Sequence, residues 1–136
     1  MRIVLDTNVM LVSIPKLSKY RDVFEALIQG KFTLIISNEI LTEYEEIIAQ
    51  KANDVVAINI INMLMNLSNV QKTEIYFKWD LIEADEADNK FVDCAIAGNA
   101  DYLVTNDTHF NILNSIDFPK VPLIKAEKFL EILKNS

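Results

Sequence analysis

Residues 88–107 read DNKFVDCAIAGNADYLVTND. In the first half, Phe91, Val92, Ala95 and Ile96 recur at helical spacing and Gly98 follows them, which predicts a helix from Asp88 to about Gly98. In the second half, Tyr102 to Thr105 is short, apolar and partly β-branched, and it runs directly into Asn106-Asp107. That is the pattern of a buried strand ending in an acid. A helix feeding a buried strand is half of a β–α–β repeat, so the remaining question is whether the chain repeats it.

It does, in both directions. Towards the N-terminus, Arg2 to Leu5 reads as a buried strand. A helix over about 20–29 carries Val23, Phe24, Leu27 and Ile28 on one side, and Gly30 closes it. Phe32 to Ile36 is a second strand, after which Ser37 caps a helix holding Ile40, Leu41, Tyr44, Ile47 and Ile48. A further helix covers about 55–67, with Ile58, Ile61, Leu64 and Met65 expected on its core side, and 70–77 is expected to be extended. Towards the C-terminus, Val121 to Ile124 is a last strand and Lys125 to Leu133 a last helix. Alternation of this kind predicts an α/β fold: a three-layer α/β/α sandwich on a central, mainly parallel sheet of about five strands.

Composition narrows the class. The 136 residues suit a single domain, residues 1–136, and 51% hydrophobic with 24% charged residues supplies a core. One cysteine excludes a disulfide framework and a cysteine-rich zinc site. The chain opens with MRIVLD rather than an apolar signal stretch and has no 18-residue apolar run. The expected compartment is therefore the cytoplasm, with no membrane partner. A net charge of -7 argues against tight non-specific nucleic-acid binding by bulk attraction. It leaves open an enzyme that reaches a phosphodiester through bound cations.

Chemistry in an open parallel sheet collects at the carboxyl ends of the strands. Two strands here end in aspartate, at Asp6 and Asp107; capping of the next helix is the competing role for each. Asp88 points with the middle of the apolar face of its helix, where an unpaired carboxylate is costly, and an N-terminal cap is again the competing role. Glu43 lies at the edge of the apolar stripe of its own helix. Asp93 falls about 140° round from Asp88, a second-line position able to meet an outer water or a basic side chain. Asp85 and Glu86 precede the helix and shape its rim, whereas Asp80, Glu83 and Asp101 read as surface acids. Clustered carboxylates repel one another until a divalent cation relieves them. Oxygen ligands favour Mg²⁺ or Mn²⁺, and one cysteine with one histidine, Cys94 and His109, makes a poor zinc set.

LDTNV at 5–9, SNEILTEYEEII at 37–48, EADEADNKFVDCAIAGNADYLVTND at 83–107 and THF at 108–110 together closely resemble the PIN domain family, in particular its branch of toxin components of toxin–antitoxin systems. The resemblance spans essentially the whole chain and is most specific in residues 88–107. It implies a PIN-like fold and a Mg²⁺- or Mn²⁺-dependent ribonuclease. It also implies an RNA substrate, an antitoxin protein as partner, and a homodimer. By position it makes Asp6, Glu43, Asp88 and Asp107 the catalytic set, with Asp6, Asp88 and Asp107 holding metal and Glu43 orienting water or helping to bind a second ion. Thr7, Asn8 and Thr105 would hold acids or phosphate by hydrogen bonds. Asp93 matches an often acidic position. This branch commonly has two adjacent acids before the asparagine; here Ala87-Asp88 stand there, which moves any fifth-acid role to Asp85 or Asp93.

Of the remaining residues, Lys16, Lys19 and Arg21 form a small basic group near the predicted site, and Lys16 and Lys90 are candidate phosphate contacts. Exposed surface charge is the competing role for both. His109 is not required by an all-carboxylate mechanism, and Cys94 reads as a small packing residue. Phe77 and Trp79 suit a protein contact, a stacking platform or packing. Two rival functions remain: a catalytically silent PIN-like interaction module, and a metal-dependent phosphatase. The second lacks an acid beside Asp6 and a lysine after a late strand.

Overall fold

The computed structural model describes residues 1–136. Its centre is a five-stranded sheet in the order β3-β2-β1-β4-β5. The strands are β1 (Arg2–Leu5), β2 (Thr33–Ile36), β3 (Val70–Lys72), β4 (Tyr102–Val104) and β5 (Leu123–Ile124), and every neighbouring pair is parallel. Ile3, Val4 and Leu5 in β1 and Leu34, Ile35 and Ile36 in β2 are all fully buried. Successive strand residues face opposite sides, so helices cover both faces, giving the expected three-layer α/β/α sandwich.

The helices are α1 (Thr7–Ser13), α2 (Arg21–Ile28), α3 (Asn38–Lys51), α4 (Asp54–Asn66), α5 (Asn89–Ala97) and α6 (Ala126–Lys134). Local chemistry sets their ends. The Ser37 hydroxyl accepts the Ile40 N–H at 3.3 Å and the Asn53 side chain accepts the Val56 N–H at 2.8 Å, each satisfying an otherwise orphaned donor. Gly30 takes φ +75 just past α2, a left-handed turn that suits glycine.

Register then places the site. Leu5 pairs with Val104, so β1 and β4 end level, and the Asp6 N–H donates to the Val104 carbonyl at 3.1 Å. Asp6 and Thr105 therefore emerge side by side from adjacent central strands. The buried Tyr44 hydroxyl donates to the Leu5 carbonyl at 2.5 Å and ties α3 to the same edge.

Several elements differ from the sequence expectation. Residues 7–13 and 108–115, to which the sequence pattern assigns no element, form α1 and a 3₁₀ segment, Thr108–Ser115. Of the stretch 70–77, expected to be extended, residues 70–72 pair as a strand. The Thr73 N–H makes the final bond, to the Ile36 carbonyl, at 2.7 Å, and β2 ends there because Ser37 starts α3. The last strand pairs only at 123–124, since Pro122 offers a carbonyl to Leu103 but no N–H of its own. In α4 the core face holds Ala57, Ile61 and Leu64, whereas Ile58 and Met65 are half exposed; a helix apolar on most sides has no periodicity to set its rotation. In α5 residues 91–95 are all buried, including Asp93 and Cys94, so the one-sided helix read from the sequence is enclosed on nearly every side.

Candidate active site

Asp6 caps α1 and faces the site at once. Its Oδ1 accepts the Val9 N–H at 2.9 Å, and its Oδ2 accepts the Thr105 hydroxyl. The Thr105 oxygen in turn accepts the Asp107 N–H at 3.0 Å. One threonine thus locks both strand-end acids. Asp107 likewise caps the following 3₁₀ segment, through the His109 N–H at 2.9 Å. The capping role is real for both acids and uses Oδ1 of each, while Oδ2 of Asp6 is braced by Thr105.

Asp88 sits at the entry to α5, after a 3₁₀ turn at Glu86–Asp88, and makes no capping hydrogen bond. Its side chain is 15% exposed, and its Oδ2 is buried with no hydrogen-bond partner. A buried acceptor without a donor is rare. Burial, with the charges of Asp85 and Asp107 added and His109 opposing, pushes its carboxyl up to about 6. Burial also raises Asp6, against the Thr105 and Val9 hydrogen bonds that favour its charged form.

Glu43 reaches the site from α3. Thr7, the residue after Asp6, donates its hydroxyl to Glu43, and Lys90 Nζ lies 2.9 Å from Glu43 Oε1. Lys90 is mostly buried and also meets the Ala87 carbonyl, so it belongs to the acidic site rather than to the solvent. The Asn8 side chain is exposed, and its backbone N–H faces Asp6.

The other candidates separate from this group. Asp93 accepts the Trp79 N–H at 3.0 Å and lines a cavity of about 530 Å³ with Glu39, Lys78 and Asp80; burial raises its carboxyl. Lys78, on the same cavity, is the basic side chain whose charge opposes that rise. Lys16 is exposed in the loop after α1. Asp85 caps the 3₁₀ turn through the Ala87 N–H at 3.1 Å. Burial pushes the Cys94 thiol up to about 12, which fits packing and not nucleophilic use. Phe77 and Trp79 stack edge-to-face at 4.7 Å, and Trp79 meets Phe118 at 6.2 Å. Two features escaped the sequence reading: the Lys90–Glu43 pair and the return of the His109 ring over Asp88 and Asp107. The only signal for the second was the two-residue step from Asp107 to His109.

A PIN domain model matches residues 2–109. The chain belongs to the PIN domain family. Among solved structures it is similar to VapBC2 from Rickettsia felis, solved bound to a DNA fragment from its promoter. That match has 22% identity and a TM-score of 0.62, and covers 92% of this chain and 98% of that one. It is also similar to Mycobacterium tuberculosis VapC20, described as a sarcin–ricin loop cleaving toxin. The identity there is 12%, the TM-score 0.60, and the cover 80% of this chain and 92% of that one. A third likeness is to the PIN domain endonuclease Utp24, at 16% identity and TM-score 0.52, covering 91% of this chain and 84% of that one. No curated protein matches the chain. At these identities the structural likeness establishes the fold. In this chain, the unpaired buried oxygen of Asp88, beside the strand-end acids, is a donor set that suits a hard divalent cation. No helix is long and apolar enough to cross a membrane.

Proposed function

We propose that this chain is a divalent-metal-dependent ribonuclease that hydrolyses phosphodiester bonds of RNA, and that it is the toxin of a toxin–antitoxin pair. The observation that carries the reading is Asp88: a buried carboxylate oxygen with no protein donor, facing the strand-end acids of a PIN domain. VapC20, described as a sarcin–ricin loop cleaving toxin, and the endonuclease Utp24 share the fold and support the same assignment.

Asp6, Asp88 and Asp107 would hold Mg²⁺ or Mn²⁺. Such an ion, when bound, neutralises charge on the phosphate and acidifies the attacking water. The protein does the positioning. Thr105 fixes the carboxylate of Asp6 and, through the Asp107 N–H, the start of the next segment; partners of this kind orient ligands. Glu43, braced by Thr7 and Lys90, orients the water. Lys90 lies close enough to the acids to meet a phosphate oxygen as substrate enters, and Lys16 offers a looser backbone contact. Because an outside water attacks rather than the 2′-hydroxyl, the products carry 5′-phosphate and 3′-hydroxyl ends.

The same reading gives the chain two protein partners, an antitoxin and a second copy of itself. Val55, Ile58 and Met65 on α4 are more than half exposed and offer apolar surface for such contacts.

The test is cleavage of end-labelled RNA in Mg²⁺, Mn²⁺ or excess EDTA, by the parent and by Asp6→Asn. Cleavage requiring a divalent ion, and a loss of about 100-fold or more in folded Asp6→Asn, is the expected result. Full activity in excess EDTA, or in the variant, would overturn the assignment.

A further inference from the structure

His109 is the chain's single histidine, and the fold brings it to the mouth of the acidic centre. Its N–H is anchored on Asp107 Oδ1 at 2.9 Å. With the backbone fixed there, the ring turns back over the site: Nδ1 lies 3.5 Å from Asp107 Oδ1 and 3.8 Å from Asp88 Oδ2. Asp85 completes the group. The potential ligand atoms of Asp85, Asp88 and His109 all lie within 4.8 Å of one another. Two ligands on opposite sides of one ion stand about 4–4.6 Å apart at ordinary bond lengths, so side-chain movements of a few tenths of an ångström would let these three share an ion. The unpartnered Oδ2 of Asp88 is the Asp88 oxygen that faces His109 Nδ1, at 3.8 Å. It is an acceptor that the protein leaves open in spite of its burial.

We propose that Asp85, Asp88 and His109 form a second, mixed nitrogen–oxygen cation position, sharing Asp88 with the carboxylate centre and selecting a first-row transition ion such as Mn²⁺ over Mg²⁺. The inference rests on the reading of Asp6, Asp88 and Asp107 as a divalent centre. The selectivity follows from the ligand. Mg²⁺ holds its water shell and prefers oxygen, whereas imidazole binds transition ions well. With its proton on Nε2, the ring offers the Nδ1 lone pair towards both acids.

The competing role for His109 is that of a cation neutralising Asp88 and Asp107. The two roles differ in sign: a cationic ring competes with a metal ion, so its removal strengthens metal binding, whereas removal of a ligand weakens it.

The experiment uses untagged protein, loaded with Mn²⁺ and followed by electron paramagnetic resonance, with circular dichroism to confirm the fold of each variant. Because the chain has one histidine, imidazole ¹⁴N modulation of the bound Mn²⁺ signal can arise only from His109. The parent should show that modulation, and His109→Gln should lose it. Mn²⁺ affinity should fall about tenfold in His109→Gln and in Asp85→Asn, while Mg²⁺ affinity, read by competition, moves less than about twofold in His109→Gln. Bound Mn²⁺ without imidazole modulation in the parent overturns the inference. So does unchanged or raised Mn²⁺ affinity in His109→Gln. If Asp6→Asn still weakens binding in either case, the carboxylate centre stands without the second position. A parent that binds no Mn²⁺ at millimolar concentration removes both.

Discussion

At Asp88 two demands conflict. The side chain sits where the apolar face of α5 begins, yet it carries a group that folding would prefer neutral. Its carboxyl titrates near 6 in the folded chain against an ordinary 3.8. Between those two values the folded state holds a proton that the unfolded state has released. Stability therefore falls as pH rises through that window and stays lower above it. Asp88→Asn removes the charge without creating a cavity. In EDTA the variant should be more stable than the parent at pH 7.5, by about 1 kcal/mol once solvent screening is allowed for, and should melt a few degrees higher. At pH 5 the gain should be smaller. Thermal unfolding followed by circular dichroism at both pH values decides it; a variant that melts lower at pH 7.5 would show that Asp88 stabilises the empty fold. The conflict at Asp88 was legible in the sequence because a carboxylate on an apolar stripe is an anomaly whatever surrounds it. The Lys90–Glu43 pair was not, because 47 positions in sequence separate two ordinary surface-type residues that only the packing of α3 beside α5 brings together.

Among the elements, α5 depends on a close approach. A Cβ built on Gly98, which follows α5, would lie 2.6 Å from Ile35 Cγ2 and 3.0 Å from the Cys94 carbonyl oxygen. Ile35 is fully buried in β2 and has nowhere to go. Gly98→Ala should cost about 1–3 kcal/mol through overpacking, read as a lower urea midpoint with little change in the slope of the transition. An unchanged midpoint would mean that the helix end can move away from the sheet. In the sequence, Gly98 could be read only as a helix stop; the tight contact behind it joins residues from distant parts of the chain. The same limit explains the elements that were misjudged. Central strands β1, β2 and β4 are continuous apolar runs, and they appeared where expected because burial on both faces leaves an unmistakable pattern. Strands β3 and β5 are edge strands, whose length is set by where a partner stops or by a proline without an N–H. Helix α1 follows its strand with no turn residues between, capped by the very aspartate that reads as the end of the strand, so a strand-and-acid reading hides it.

For the molecule as a whole, charge and chemistry are opposed. The substrate in the proposed reaction is a polyanion, and the protein carries a net charge of -7. A basic RNA-binding protein gains affinity by displacing counterions from phosphate, and it loses that affinity steeply as salt rises. This chain cannot draw on that source. Its background field repels RNA, and monovalent salt screens the repulsion over a Debye length of about 10 Å at 0.1 M. In the proposed reaction, productive contact would instead come through divalent ions bound by the acids, with Lys90 and Lys16 as local cationic contacts. Two opposite dependences should follow in single-turnover cleavage of a labelled RNA. At fixed Mn²⁺, raising KCl from about 20 to 200 mM should change the rate less than about threefold, because screening of repulsion offsets loss of the few direct contacts. At fixed KCl, the rate should climb steeply with Mn²⁺ until the site fills. Lys16→Ala should weaken substrate binding about two- to threefold, and only at low salt, since one exposed contact is screened easily. A fall of 100-fold or more across the KCl series would mean that a basic surface, not the metal-bridged acids, captures the RNA.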